Sequence, residues 1–201
     1  ASAINKGFDY LKKHNYKMAV LLDQDTFLPK TFLNIMLHNI NSFIYPRKIA
    51  LFAPIFFNNV TNNFGPIINF KPFRLIKSSP QDYKTFSLPK YVITSGSFIP
   101  MSVIDDLGMM LDELFIDFID IEWCLRARKN GYEIVSFTNS KIMHNLGDYS
   151  ISFFGVNYPI HSPLRMYYFF RNSIYLYRLK EIDWNWRLID GSRNLFRLDQ
   201  V

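Results

Sequence analysis

The stretch Met18-Ala19-Val20-Leu21-Leu22-Asp23-Gln24-Asp25 decides the fold, because an apolar run of strand length ends there on two carboxylates. A short continuous apolar run indicates a strand that is buried on both faces. Side chains two residues apart on a strand point to the same face, so we expect Asp23 and Asp25 to converge. In open α/β sheets, ligands bind at the carboxyl ends of the strands.

Two carboxylates at such a strand end suggest a metal site. Hard oxygen ligands suit Mg²⁺ or Mn²⁺ and, through the metal, a diphosphate. In the alternative reading, the two acids only end a strand and begin a loop. The short motif by itself leaves both readings open.

Composition restricts the class of protein. The chain has 201 residues, of which 49% are apolar, enough for one domain with a real core. The net charge of +6 suits an anionic partner such as a nucleotide, a diphosphate or an acidic membrane surface. No dense run of Lys and Arg occurs, so we expect no nucleic-acid partner.

The single cysteine, Cys124, excludes an internal disulfide and suits a reducing compartment. It stands between Trp123 and Leu125, which predicts a buried structural thiol and not a nucleophile. The sequence shows neither a signal peptide nor an apolar run of about 20 residues.

Strand and helix patterns alternate along the first two-thirds of the chain, which predicts an α/β layer fold. The patterns place helices at 1–14, 29–40, 100–108, 119–129, 162–177 and 184–198. They place strands at 17–22, 48–53, 91–94, 133–137 and 141–143, with a long excursion at 55–90 that contains one weak hairpin.

The last two helices form a separate expectation. We expect residues 1–160 to form the α/β core and residues 161–201 to form a helical segment packed on it. The basic and aromatic residues of 163–198 also suit contact with a membrane surface, and the sequence leaves both readings open.

A second acidic group lies at 112–122, where five carboxylates are interleaved with large apolar side chains. A solvated helix does not have this composition, so some of these acids must be buried. A buried carboxylate near other carboxylates has a raised pKa and can act as a general base. Asp120 is either such a base or a helix N-cap. Glu122 and Arg126 are spaced as an i,i+4 pair, which indicates a role that is at least partly structural.

Taken together, these motifs resemble those of family 2 glycosyltransferases, in the order expected for that family, over about residues 1–175. The particular residues of these motifs are most similar to those of the rhamnosyltransferase branch. The matching segments are Ala1–Gly7, Leu21–Asp25, Thr94–Ser97, Asp112–Arg128 and His144–Gly147.

The resemblance implies a GT-A-like (Rossmann-like) mixed sheet flanked by helices. It also implies a metal-dependent, inverting transfer of a sugar from a nucleotide-diphosphate donor to a saccharide or lipid-linked acceptor in surface polysaccharide synthesis. Rhamnose is the sugar that the branch predicts. The resemblance implies a cytoplasmic protein that lies at the periphery of the inner face of the cell membrane.

The resemblance also implies residue roles. Asp25 matches the metal-contacting carboxylate, with Asp23 as its partner and His144 as a further ligand of the metal or diphosphate. Asp120 matches the general base. Acceptor contacts are expected from Ser95, Asp112, Glu113 and Glu122, and donor contacts from Asp23, Asp25 and Arg126. In the alternative reading, Ser95 only belongs to a turn, and Asp112 and Glu113 only begin their segment.

Two departures from the family pattern keep other functions open. Ile119 stands where the family has a glutamate, and the family's first strands, which hold the nucleotide, would precede Ala1. We therefore expect an N-terminally truncated chain. The alternative function is a non-catalytic fragment or carbohydrate-binding module that keeps the acceptor half of the fold. A metal-dependent phosphoesterase is a third reading, but it needs more ligands than the sequence offers.

Overall fold

A computed structural model of the protein describes residues 1–58, 62–143, 150–153, 156–159 and 162–198. Its helices are α1 (Ser2–Lys13), α2 (Phe32–Ser42), α3 (Met101–Leu107), α4 (Ile119–Lys129), α5 (Pro163–Leu176) and α6 (Trp184–Leu198). Its strands are β1 (Met18–Leu21), β2 (Ile49–Asn58), β3 (Asn63–Phe64), β4 (Ile67–Lys71), β5 (Arg74–Ser78), β6 (Phe86–Ser87), β7 (Ser97–Pro100), β8 (Glu133–Met143), β9 (Ser150–Phe153) and β10 (Val156–Pro159).

A six-stranded mixed sheet forms the centre of the molecule, and its main path runs in the order β1-β7-β2-β8-β6. The sixth strand, β3, pairs with β2. Strands β2 and β8 are parallel, whereas β1–β7, β2–β7 and β6–β8 are antiparallel. This arrangement confirms the predicted mixed α/β class.

Helices cover both faces of the sheet. Successive residues of a strand point to opposite faces, so Leu51 and Phe52 of β2 belong to different apolar clusters. One cluster joins Leu51 and Ile134 to Phe8 of α1, Val103 of α3 and Trp123 of α4. The other joins Phe52, Val135 and Phe137 to Phe32 and Met36 of α2.

The strand that precedes the acidic pair is less buried than its sequence predicts. Within the described ranges, β1 has one neighbour, β7, to which it is antiparallel from Met18 opposite Pro100 to Leu21 opposite Ser97. Val20 is 37% exposed, and Leu22, just beyond the strand, is 50% exposed. The prediction of burial on both faces was therefore wrong, because an apolar run does not reveal whether a strand lies at a sheet edge.

The predicted strand at 91–94 is also displaced. The pairing strand is β7, which begins at Ser97 after a turn at Gly96. Gly96 has a φ of +78°, and a Cβ there would lie 2.7 Å from the Pro54 side chain. The turn therefore requires glycine, and the strand can begin only after it.

Strand β2 does not end at residue 53 as predicted but continues through Pro54 to Asn58. Its register with β8 shifts between Pro54 and Ile55, which accommodates a residue that has no N–H to donate. Three residues of β8 fall in this irregularity, since Pro54 pairs with Phe137 and Ile55 with Lys141. The two short strands predicted at 133–137 and 141–143 are consequently one strand.

The excursion at 55–90 contains the predicted hairpin, formed by β4 and β5. The short strands β3 and β6 attach this region to the central sheet. The C-terminal helices are also near their predicted positions. Ser162 caps α5 by accepting a hydrogen bond from the Arg165 N–H, and Pro163 occupies the first turn. In the described residues, no helix combines the length and apolarity needed to cross a bilayer.

Candidate active site

A cavity of about 590 Å³ lies between the loop that follows β1, the segment that precedes α4, and helices α5 and α6. Its walls combine apolar and polar side chains. The charged and hydroxyl-bearing members are Asp23, Tyr91, Thr94, Asp117, Asp120, Arg165, Asp190 and Arg193.

Asp120 lies in the first turn of α4 and lines this cavity. The N-cap position is Phe118, so Asp120 does not cap the helix, although its Oδ1 accepts a hydrogen bond from the Ile121 N–H at 2.9 Å. Burial raises the pKa of Asp120 from 3.8 to about 6, and the negative charges of Asp117 and Asp23 act in the same direction. A carboxylate with such a pKa is ionised at neutral pH and can accept a proton there.

Asp23 and Asp25 lie in an exposed turn beyond the end of β1. Asp23 lines the cavity that contains Asp120, whereas Asp25 is not among the described residues of its wall. The two acids lie past Leu21, so the alternation of side chains along a strand does not apply to them.

The turn that carries these acids is attached to the sheet at two points. The buried Ser95 Oγ accepts a hydrogen bond from the Asp23 N–H at 3.1 Å and lies 2.6 Å from the Thr26 hydroxyl. Phe27 and Met143 exchange two backbone hydrogen bonds of 3.1 Å. Ser95 is 1% exposed, so its hydroxyl supports the loop and is not available to an acceptor as predicted.

The metal prediction is only partly covered by the structure. His144 follows Met143 directly in sequence and lies outside the described residues. Across the described part of the chain, no three His, Cys, Asp or Glu side chains form a metal-binding group.

Glu122 and Arg126 are placed differently from their predicted substrate contacts. Glu122 is 1% exposed, and its two oxygens accept hydrogen bonds from Arg126 Nε at 2.7 Å and Nη2 at 2.9 Å. Arg126 also donates to the carbonyls of Leu107 and Met109. This buried ion pair ties α4 to the end of α3, and neither residue lines the cavity.

Asp112 and Glu113 also lie outside the cavity wall. The Asn5 side chain fixes this segment, because its Nδ2 donates to Met110 O at 2.8 Å and to Asp112 Oδ1 at 2.9 Å. Asp112 and Glu113 are both exposed, and the backbone carbonyl of Glu113 accepts a hydrogen bond from Arg171. Cys124 is 1% exposed, which confirms the predicted burial of its thiol, and burial raises its pKa to about 12.

The backbone that leads into α4 has an unusual conformation. Asp117 and Phe118 have φ angles of +61° and +65°, a region that costs about 1–3 kcal/mol for each non-glycine residue. Helix α5 holds this segment in place. Arg165 grips the Asp117 carboxylate through Nη2 at 2.9 Å and Nε at 3.1 Å. The fully buried Asn172 donates to the carbonyls of Ile116 at 2.7 Å and Asp117 at 3.1 Å.

Two further polar residues of the wall, Asp190 and Arg193, do not belong to any motif that we recognised in the sequence. One signal was nevertheless present. Asp190 lies four residues after Trp186, which places both on one face of α6, and Trp186 is 3% exposed. A charged residue on a buried helix face indicates either a structural ion network or a binding site.

No protein-family model matches the chain. The chain is 31% identical over 183 residues to the dTDP-rhamnosyl transferase RfbF of Shigella flexneri. The alignment covers 90% of this chain and 60% of that protein, so the chain spans less than two-thirds of the length of its relative. This similarity supports a relationship to a glycosyltransferase, and the six-stranded mixed sheet flanked by helices is consistent with a GT-A-like fold.

Proposed function

We propose that the chain is the catalytic part of an inverting glycosyltransferase that uses a nucleotide-diphosphate sugar. The observation that carries the proposal is the meeting of Asp23 and Asp120, distant in sequence, in the wall of one cavity. The similarity to a dTDP-rhamnosyl transferase makes dTDP-rhamnose the first donor to test, with a saccharide or a lipid-linked sugar as acceptor.

Asp120 is the general base in this proposal. Its carboxylate takes the proton from an acceptor hydroxyl while the hydroxyl oxygen forms a bond to the anomeric carbon of the donor. The bond between that carbon and the diphosphate oxygen breaks, and the nucleoside diphosphate leaves with the bonding electrons. Attack from the face opposite the leaving group inverts the anomeric carbon. A positioned base contributes on the order of 10²–10⁴-fold to the rate.

The turn after β1 is the proposed metal site. Mg²⁺ needs only one or two protein carboxylates when substrate phosphates complete its shell, so the pair Asp23 and Asp25 suits a metal shared with a diphosphate. His144 remains a proposed third ligand. A bound Mg²⁺ or Mn²⁺ would neutralise the charge that develops on the leaving diphosphate.

Calorimetric titration tests the donor side of the proposal directly. Mn²⁺ and thymidine diphosphate are titrated into the wild-type protein and, separately, into its Asp23→Asn and Asp25→Asn variants. We expect binding of the nucleotide to require the metal and to weaken at least about tenfold in both variants. Asp9→Asn, which changes an exposed acid on α1, is the matched control and should bind normally.

Equal nucleotide binding with and without Asp23 and Asp25 would contradict the metal assignment. Absence of nucleotide binding in the wild-type protein would contradict the enzyme and favour the carbohydrate-binding alternative.

A further inference from the structure

We propose that Asp190 and Arg193 of α6 form a subsite that binds the hydroxyl groups of the acceptor saccharide. This inference rests on the proposed function, because it assigns the α6 wall of the same cavity to the acceptor. The ligand class is an uncharged pyranose.

Asp190 is a buried carboxylate with one anchored oxygen. It is 5% exposed, and its Oδ2 accepts hydrogen bonds from Ser173 Oγ at 2.5 Å, Tyr177 Oη at 2.9 Å and Asn194 Nδ2 at 3.1 Å. No described residue donates to Oδ1, although the side chain lines the cavity. Oδ1 therefore keeps its acceptor capacity on the side of the cavity, where a ligand hydroxyl would donate to it.

Arg193 supplies the complementary donor. It lies one turn after Asp190 on α6, is half-buried and lines the same cavity. Among the ion pairs of the described residues, none involves its guanidinium. A sugar hydroxyl both donates and accepts hydrogen bonds, so an available carboxylate oxygen beside a guanidinium suits a pair of neighbouring hydroxyls.

The position of Tyr91 relates this subsite to the reacting centre. Burial raises the pKa of Tyr91, the charge of Arg193 and its hydrogen bond to Tyr91 oppose the rise, and the charges of Asp120 and Asp190 add to it. Tyr91 therefore lies within electrostatic range of both acids, which places the α6 subsite and the proposed base around one side chain. A saccharide held by Asp190 and Arg193 would present another of its hydroxyls to Asp120.

The charge of the wall argues against the nucleotide as the occupant of this subsite. A carboxylate repels a diphosphate, whereas it accepts readily from neutral hydroxyls. The cavity, at about 590 Å³, falls in the range of roughly 300–1,000 Å³ that is usual for small-molecule sites.

The test is a binding titration followed by NMR, without donor or metal. The probes are the methyl glycosides of rhamnose, galactose, glucose and N-acetylglucosamine, added separately to the native polypeptide. We expect at least one of them to bind, and Asp190→Asn to weaken that binding about 10-fold or more. The asparagine oxygen can still accept from Ser173, Tyr177 and Asn194, so the variant keeps the network and turns the cavity-facing acceptor into a donor.

Arg193→Gln provides a second test that does not disturb this network, and we expect a similar loss of affinity. Ser192→Ala changes an exposed residue of the same helix and should bind the glycoside normally. Unchanged affinity in Arg193→Gln, or in a folded Asp190→Asn variant, would overturn the proposal, as would failure of all four probes to bind the wild-type protein.

The outcome is separable from that of the proposed function. Glycoside binding that survives in Asp23→Asn, in the absence of any nucleotide binding by the wild-type protein, would reject the transferase and leave the saccharide subsite standing. Nucleotide binding by the wild-type protein, together with unchanged glycoside affinity in the Asp190 and Arg193 variants, would support the transferase and reject the saccharide subsite.

Discussion

Residue environments, more than residue types, separate the acids of the segment 112–122. Asp120 and Glu122 are two residues apart on one helix, yet only Asp120 lines the cavity. Glu122 is neutralised by Arg126, whereas the charges that shift the pKa of Asp120 within the described residues are the negative ones of Asp117 and Asp23. A carboxylate therefore stabilises the fold at position 122 and is available to a ligand in the cavity at position 120.

The pKa of Asp120 predicts the pH dependence of transfer. A general base must be ionised, and the carboxyl of Asp120 becomes protonated as the pH falls through about 6. We expect kcat/KM for the donor to fall along an acidic limb with a midpoint near pH 6, measured in steady-state rates between pH 5 and 8. Asp117→Asn should move the limb to lower pH, because it removes a negative charge that raises the pKa of Asp120. A rate that does not fall between pH 8 and pH 5 would contradict the assignment of Asp120 as the general base.

The same burial predicts that Asp120→Asn stabilises the protein. The pKa of Asp120 is about 6 in the folded state and 3.8 in its ordinary state, so the folded chain binds the extra proton between these values. The resulting destabilisation develops as the pH rises from about 4 to 6 and is complete above 6, where it amounts to up to about 3 kcal/mol.

Thermal unfolding at pH 7 should therefore show a higher midpoint for Asp120→Asn than for the wild type. The difference should shrink at pH 5. A variant that is less stable than the wild type at pH 7 would contradict the claim that burial destabilises the ionised Asp120 carboxylate.

At the scale of elements, α5 acts as a support for the turn before α4. Two consecutive residues in the left-handed region, Asp117 and Phe118, direct the chain into the helix that carries Asp120. Arg165 and Asn172 bind the side chain and the carbonyls of this turn. The position of the proposed base therefore depends on a helix far along the sequence.

Asn172→Ala tests this support. The change removes the fully buried side chain that donates to both carbonyls, which costs about 1–3 kcal/mol for each group left unsatisfied. We expect chemical denaturation to show this loss and the turnover number to fall more than the Michaelis constant for the donor changes. Asn39→Ala removes an exposed side-chain pair with Asn139 and should change neither quantity noticeably. Equal effects of the two substitutions would contradict the support role.

The sequence predicts most helices of the fold but misplaces several strands. All six described helices lie within about three residues of their predicted bounds because periodicity and caps are local signals. The strand predicted at 91–94 lies at Ser97–Pro100, since pairing with β1 and the turn at Gly96 decide its position. Such partners are distant in sequence and cannot be read from a local pattern.

At the scale of the whole molecule, the C-terminal helices complete the core and the cavity together. Leu114, Phe118 and Leu125 pack against Leu176 and other apolar residues of the C-terminal part in one buried cluster. Phe118 also meets the ring of Trp186 edge to face at 6.1 Å between centroids. The segment from 162 onward therefore supplies one wall of the candidate site.

Trp186→Ala tests whether the C-terminal helices and the rest of the core form one folding unit. Truncation of a buried tryptophan typically costs about 3–5 kcal/mol, and Trp186 is 3% exposed. We expect a large fall in the unfolding free energy and weaker saccharide binding, because the wall that carries Asp190 loses its anchor. Trp184, which is 58% exposed, provides the control, and its substitution by alanine should cost little. A mild effect at Trp186 would indicate that the helices are an independent appendage.

The sequence predicted only part of the candidate site. The motifs identified Asp23 and Asp120, which the fold places in one cavity. They also suggested Ser95, Glu122 and Arg126 as substrate contacts, but spacing cannot show that these side chains are committed to internal hydrogen bonds. The contributions of α5 and α6 depend on tertiary packing and became visible only in the folded chain.

The most direct test of the account is the rate at which the native polypeptide releases nucleoside diphosphate from its donor in the presence of acceptor, compared with its Asp120→Asn variant. We predict that turnover of the variant falls at least about 10²-fold at pH 7.5, whereas the dissociation constant of the donor changes less than about twofold. Turnover close to that of the wild type in the folded variant would contradict the role of Asp120 and, with it, sugar transfer at this cavity.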